Sequence, residues 1–240
     1  MKIIITRDYQ EMSERAARLV LETVKAKPDA VLGLATGNTP LGLYRALVAA
    51  YASGKASFAK VKTFNLDDYV GLPRASRDSF WHYMQDNFFS QVDIKPEHVY
   101  LLDGTAKNLA DEAANYERHI LDEGGIDLQI LGIGMDGHIG FCEPGASFTS
   151  RTGVVNLTKS TREVNAENLL ELKQVPAQGL TMGLGTIMEA QKIVLLANGR
   201  HKAFILHKAL YGPVAEEVPA SILQRHPDCT VIMDAAAAGE

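Results

Sequence analysis

Two cysteines in 240 residues, Cys142 and Cys229, are too few for a disulfide scaffold, and neither stands in a Cys-x-x-Cys or Cys/His zinc spacing. Reduced, buried thiols are the expectation. No apolar run approaches the length of a membrane span, and Ile3-Ile4-Ile5 is shorter than the apolar region of a secretory signal. Nor is there an excess of positive charge: Lys and Arg number 24 against 29 Asp and Glu, a net of −5, which leaves no general attraction for nucleic acid or an anionic membrane. An anionic ligand must therefore be held locally. No linker, repeat or composition break divides residues 1–240. Apolar residues make up 46% of the chain and charged residues 22%, ordinary values for one globular domain with a full core. A soluble, cytoplasmic protein is expected.

Glycine, in contrast, is concentrated. The stretch Leu131-Gly132-Ile133-Gly134-Met135-Asp136-Gly137-His138-Ile139-Gly140-Phe141-Cys142-Glu143-Pro144-Gly145 holds five glycines and continues a mostly apolar run, 126–133, that reads as a buried strand. A glycine-rich loop at a strand end can fold tightly against a ligand, because glycine takes positive φ and lets the backbone approach closely. The loop carries Asp136, His138 and Glu143, one imidazole between two carboxylates. Such a trio suits proton transfer: a carboxylate orients the ring, and unperturbed histidine titrates near pH ~6.5. A turn with solvated charges is the plain alternative, and a divalent metal on the same three side chains is another.

Residues 2–6 read as a first strand. Asp8, with Glu11 three residues on, opens a helix whose apolar stripe is Met12, Ala16, Leu19 and Val20 and which stops before Pro28. After a strand over 30–35, Thr36-Gly37-Asn38-Thr39-Pro40 turns into a helix from about Leu41 toward Gly54. Backbone N–H groups and a helix N-terminus at a strand's carboxyl end form the arrangement that binds phosphate, although a simple strand-to-helix turn reads the same way. The loop has neither the Gly-Lys-Ser/Thr of a nucleotide P-loop nor a GxGxxG. A strand over 60–66 ends at Asp67-Asp68-Tyr69, and adjacent acids in a turn are commonly solvated. In an open parallel sheet, however, loops at the strands' carboxyl ends share one crevice, so Asp67, the Gly37 loop and the Asp136 loop can converge. Helices are expected over 79–89, with Trp81, Phe88 and Phe89 in the core, and over 106–123. Beyond Pro144 the pattern weakens to a strand over 153–157 and a helix over 163–172, which makes about 144–176 a candidate lid. A strand over 192–197 leads to a helix over 200–210, with Lys202 at the junction in reach of an anion in the crevice. The last strand, 229–233, is followed by an expected frayed tail, 235–240.

Taken together, Leu34-Ala-Thr-Gly-Asn-Thr-Pro40, Phe64-Asn-Leu-Asp-Asp-Tyr-Val-Gly-Leu-Pro73, Gly132-Ile-Gly-Met-Asp-Gly-His-Ile-Gly-Phe-Cys-Glu-Pro144, Ser150-Arg-Thr152 and the stretch from Val175 to Gly183 resemble the glucosamine-6-phosphate deaminase family over nearly the whole chain. The resemblance implies an α/β fold: one three-layer α/β/α, Rossmann-like domain with an open, mostly parallel sheet and a lid after the catalytic loop. It also implies conversion of glucosamine 6-phosphate and water to fructose 6-phosphate and ammonia, with no metal and no organic cofactor. On that reading His138 assists ring opening, Asp136 and Glu143 hold and tune it, and Asp67 takes the C2 proton and returns one at C1. Thr36, Gly37, Asn38 and Thr39, with Lys202, hold the 6-phosphate, and Asp68 and Gly134 complete the substrate site.

The chain departs from the family pattern at two places. Glu167 stands where family members commonly carry a lid arginine associated with the substrate phosphate, and a carboxylate repels a dianion by about 1 kcal/mol at ~4 Å even in water. Arg162, Lys159 and Lys173 are the candidate replacements. Gly153 and Val155 stand where allosterically regulated members carry basic residues, so a short, unregulated form is expected, with a monomer favoured. Two other readings stay open. A 6-phosphogluconolactonase shares the Gly-Asp-Gly-His loop but resembles Asp-Glu-Arg where this chain has Asp67-Asp68-Tyr69, and a sugar-phosphate sensor domain would use the same pocket without turnover.

Overall fold

The computed structural model describes residues 1–166 and 169–240. β1 (Lys2–Thr6) enters α1 (Tyr9–Ala26), where the Asp8 side chain caps the helix by accepting from the Glu11 N–H at 2.8 Å. Glu11 reaches back to the N–H of Arg7 at 3.1 Å, one residue before the position a capping box uses. β2 (Val31–Leu34), α2 (Leu41–Ala52), β3 (Lys62–Asn65) and β4 (Asp67–Tyr69) follow, then α3 (Phe80–Asn87), β5 (Val99–Tyr100), α4 (Leu109–Asp122) and β6 (Leu128–Leu131). The second half holds β7 (Gly153–Asn156), α5 (Lys159–Ala166), β8 (Gln178–Thr181), α6 (Leu184–Met188), β9 (Ile193–Ala197), α7 (Ala203–Tyr211), β10 (Cys229–Asp234) and α8 (Ala235–Ala238).

Seven strands form one parallel sheet in the order β1-β10-β9-β6-β2-β3-β5. Its central strands are buried along their whole length, which is why β2, β6 and β9 read as apolar runs rather than alternating ones. The crossovers from β2 to β3 and from β5 to β6 run in opposite directions across the sheet. Right-handed connections then put α2 and α4 on opposite faces, the three-layer arrangement expected. On the α4 face Phe64 stacks on Tyr100 at 4.4 Å between ring centres and meets Tyr116 edge-on at 5.4 Å. Order reverses between β2 and β6, and a crevice opens there beyond the strands' carboxyl ends.

Four expectations need correction. Asp67-Asp68-Tyr69 is a strand and not a turn: Leu66 donates the last bond of the parallel ladder to Leu34, and the next three residues pair antiparallel with β8, which in turn pairs with β7. The helix expected over 163–172 begins earlier, at Lys159, because the Thr158 hydroxyl caps the Thr161 N–H at 3.2 Å; α5 is described over Lys159–Ala166, and residues 169–177 are irregular. The helix expected over 200–210 starts with a 3-10 turn, Arg200–Lys202, before α7. The tail is not frayed, since the Asp234 carboxylate accepts from the Ala237 N–H at 2.7 Å and Ala237 is buried. Phe88 and Phe89 lie in the core as expected, while Trp81 is half-buried under the Arg74 guanidinium.

Candidate active site

Four loops meet at the β2/β6 crevice. The first contributes Asp67, only 6% exposed, at the start of β4 opposite Thr181 of β8. Its carboxylate accepts no hydrogen bond among the described residues. Burial, with the Asp68 charge beside it, pushes Asp67 up from the ordinary carboxylate range to about 8. Asp68 is also driven up by burial, but its Oδ1 accepts the N–H groups of Tyr69 at 2.7 Å and Phe80 at 3.3 Å, and it comes to rest at about 7. One acid of the pair is pinned by backbone and the other is left unpinned, facing the loop after β6. Gly140 of that loop has φ +56°, and a Cβ there would stand 3.5 Å from Asp67 Oδ2.

The same loop shapes His138. The Gly134 N–H donates to the His138 carbonyl at 2.9 Å and the Gly137 N–H to the Gly134 carbonyl at 3.1 Å, with Gly137 at φ +92°. A Cβ on Gly134 would fall 2.1 Å from His138 Cε1, so this glycine is what lets the ring lie against the backbone. The ring's Nδ1–H donates to Asp136 Oδ1 at 2.7 Å, and the His138 N–H reaches the same oxygen at 3.2 Å. That bond fixes the tautomer and leaves Nε2 as the basic nitrogen. Burial would raise Asp136, but the hydrogen bond and charge of the His138 ring, with the backbone N–H, outweigh it and hold the carboxyl at about 2. Glu143 Oε2 stands 3.8 Å from Nδ1, buried and without a hydrogen bond among the described residues, while Oε1 accepts the Thr158 N–H at the entrance to α5. The loop after β6 and the candidate lid are thus joined through this carboxylate. Ligand atoms of Asp136, His138 and Glu143 lie within 4.8 Å of one another, a spacing that also fits a divalent ion.

The loop after β2 brings Thr36, Gly37, Asn38 and Thr39 to the crevice, turned by Gly37 at φ +93°. Two tyrosines that the sequence pattern does not flag hold it: Tyr83 donates to the Gly37 carbonyl at 2.6 Å, and Tyr9 to the Asn38 carbonyl at 3.1 Å. The Tyr9 hydroxyl also takes the Gly42 N–H at 2.7 Å, so that helix-terminal donor is not open to a ligand. Thr39 Oγ1 donates to Asn198 Oδ1 at 2.9 Å, tying this loop to the one after β9 that carries Lys202. Lys202 is half-buried with no salt bridge among the described residues; burial lowers its pKa and the nearby Asp136 partly offsets that. A cation, a set of backbone amides and an imidazole oriented by Asp136 therefore border one space.

Glu167 lies outside the described residues. Of the cations considered in its place, Lys159 pairs with Glu163 at 3.5 Å on the surface, and Arg162 and Lys173 line a different cavity. Gly153 and Val155 are β7 residues paired with Thr181 and Gly179.

A family model for glucosamine-6-phosphate isomerases/6-phosphogluconolactonase matches residues 7–232. Glucosamine-6-phosphate deaminases are similar over their full length. That of Thermoanaerobacter pseudethanolicus is 48% identical over 99% of this chain and 94% of its own, and that of Bacillus velezensis is 48% identical over 100% and 99%. Among solved structures, a monomeric glucosamine-6-phosphate deaminase superposes with a TM-score of 0.97 at 45% identity, over 100% of this chain and 99% of that one. The 6-phosphogluconolactonase of Trypanosoma cruzi gives 0.80 at 21% identity, over 100% and 96%, a likeness of fold alone.

Proposed function

This chain belongs to the glucosamine-6-phosphate isomerase/6-phosphogluconolactonase family, and we propose that it acts there as a glucosamine-6-phosphate deaminase, converting glucosamine 6-phosphate and water to fructose 6-phosphate and ammonia. The observation that carries the reading is Asp67: a desolvated carboxylate at about 8 with no hydrogen bond to weaken it, beside a loop that presents an oriented imidazole. Proton abstraction from carbon needs a strong base fixed in place, and a carboxylate removed from water is a stronger base than a solvated one, available as the ionised fraction that grows as pH rises toward 8.

The cyclic substrate first opens. His138 Nε2 moves a proton from the C1 hydroxyl to the ring oxygen, and the bond from Nδ1–H to Asp136 stabilises the ring while it carries the extra charge. Asp67 then takes the C2 proton; the C2–H electron pair forms the C1–C2 double bond of an enolamine and the carbonyl oxygen gains a proton. Return of a proton to C1 leaves an iminium at C2, to which water adds, and ammonia departs. Asp68 holds the strand that carries Asp67. Thr36, Gly37, Asn38 and Thr39 with Lys202 bind the 6-phosphate, Gly134 lines the sugar site, and Glu143 keeps the entry to α5 in register with His138. The lid spans about 144–176, and the protein works as a cytoplasmic monomer; no helix among the described residues is long and apolar enough to cross a membrane. The test is ammonia and fructose 6-phosphate release from glucosamine 6-phosphate, with phosphogluconolactone as control. Turnover of the lactone alone would reverse the assignment within the family.

A further inference from the structure

Arg162 and Lys173 are not in the crevice. They line a cavity of about 330 Å³ with Val70, Gly71, Leu72 and the stretch from Leu172 to Ala177, and among the described residues no acidic side chain lines it. The β4–β8 ladder runs from Asp67 opposite Thr181 to Val70, whose N–H donates to Gln178, and the cavity lies beyond that end. β4 is three residues long, so Asp67 and Tyr69 are two extended steps apart, about 7 Å, before the chain turns at Val70 and Gly71. The Arg162 Nε–H is buried without an acceptor, and the guanidinium has no ion pair or hydrogen bond among the described residues. A buried, unpaired donor of a charged group is costly, and it marks a place where an acceptor belongs.

The walls are held from outside. The Asp78 carboxylate accepts three successive N–H groups, from Leu170 at 2.5 Å, Glu171 at 3.0 Å and Leu172 at 2.7 Å, which fixes the Leu172 side of the cavity to the segment before α3. The other wall is α5, which carries Arg162. An anion between Arg162 and Lys173 would join these two limbs of the lid.

We propose that this cavity is a second anion site, distinct from the crevice, that takes a small phosphorylated molecule or inorganic phosphate through the Arg162 fork and the Lys173 ammonium. Planar guanidinium recognition with a mobile point charge beside it suits a phosphate group, and the volume accommodates a small ester. The site does not depend on the deaminase reading.

The test uses the whole protein with inorganic phosphate as probe, against chloride at equal ionic strength, and reads the thermal midpoint. Lys202→Ala removes the crevice cation, yet phosphate at about tenfold excess over its Kd should still raise the midpoint by about 3 °C or more. Arg162→Gln with Lys173→Gln in that background should abolish the rise, and Lys173→Gln alone, a milder change, should weaken phosphate binding several-fold. Glucose 6-phosphate in place of phosphate separates an ester site from one that admits only the free ion. Loss of the effect in Lys202→Ala alone, or its persistence after both cavity cations are removed, would overturn the proposal. Ammonia release, assayed separately, reports on the crevice chemistry, so either reading can fail without the other.

Discussion

Replacing Asp67 by Asn should change how stability depends on pH. In the unfolded chain this carboxyl ionises near its ordinary value of 3.8; in the folded protein burial holds the proton until about 8. A carboxyl raised by folding contributes most below the unfolded value, and that contribution is lost as pH climbs through the folded one. Each pH unit between the two ionisations is about 1.4 kcal/mol, so by pH 7 the wild type has lost on the order of 4 kcal/mol that an amide at the same place never had to lose. For a chain of this size that is on the order of 10 °C in midpoint. The assay is calorimetric or circular-dichroism melting of wild type and Asp67→Asn from pH 4.5 to 9 at matched ionic strength. A buried amide without a partner has its own cost, but an equal one at every pH, so the slope of the difference is the readout. The wild type should fall relative to the variant between pH 4.5 and 8 and run parallel above. A difference flat across that range would mean that Asp67 ionises like a solvated acid, and the argument for a strong base would fail. The acid limb of kcat/KM should show the same pair, with apparent values near 7 and 8 shared between Asp68 and Asp67 rather than owned by either.

The remaining expectations concern the loops after β6 and β9. His138→Gln should lose about 10²–10⁴-fold on cyclic glucosamine 6-phosphate and much less on an analogue supplied ring-opened, since the ring acts in the earlier step; equal losses would contradict that division. Gly134→Ala, whose Cβ would stand 2.1 Å from the His138 ring, should lower kcat about 10²-fold by displacing it, whereas Gly132→Ala, with nothing within 4 Å, should leave kcat within about twofold. Lys202→Ala should raise KM tenfold or more at low salt and less at high salt, because screening weakens the contact that the wild type keeps; a salt-independent KM ratio would remove Lys202 from the phosphate site.

How far the sequence carries the account differs by element. β2, β6 and β9 were legible because a strand buried on both faces is an unbroken apolar run, and the loops after them were legible because a parallel sheet leaves its carboxyl ends together. β4 was not: Asp67-Asp68-Tyr69 has no strand signature, and only pairing with β8, more than a hundred residues away, makes it one. β8 itself, Gln-Gly-Leu-Thr, carries too little pattern to announce a strand, and β5 is two residues long. Within the site, Asp136, His138 and Glu143 share one loop, so local spacing revealed them. Tyr9 and Tyr83, which clamp the Gly37 loop, arrive from α1 and α3, and nothing local marks them. The same holds for Arg162, whose unpaired Nε–H is visible only once the stretch from Leu172 to Ala177 closes over it.

The fate of a label at C2 tests the central claim most directly. With glucosamine 6-phosphate tritiated at C2, the wild type should move the label to C1 or to water at the rate of fructose 6-phosphate formation. Asp67→Asn should leave it on C2 while still binding the sugar phosphate. Label leaving C2 at the wild-type rate in that variant would show that another group is the base, and that the burial of Asp67 serves something else.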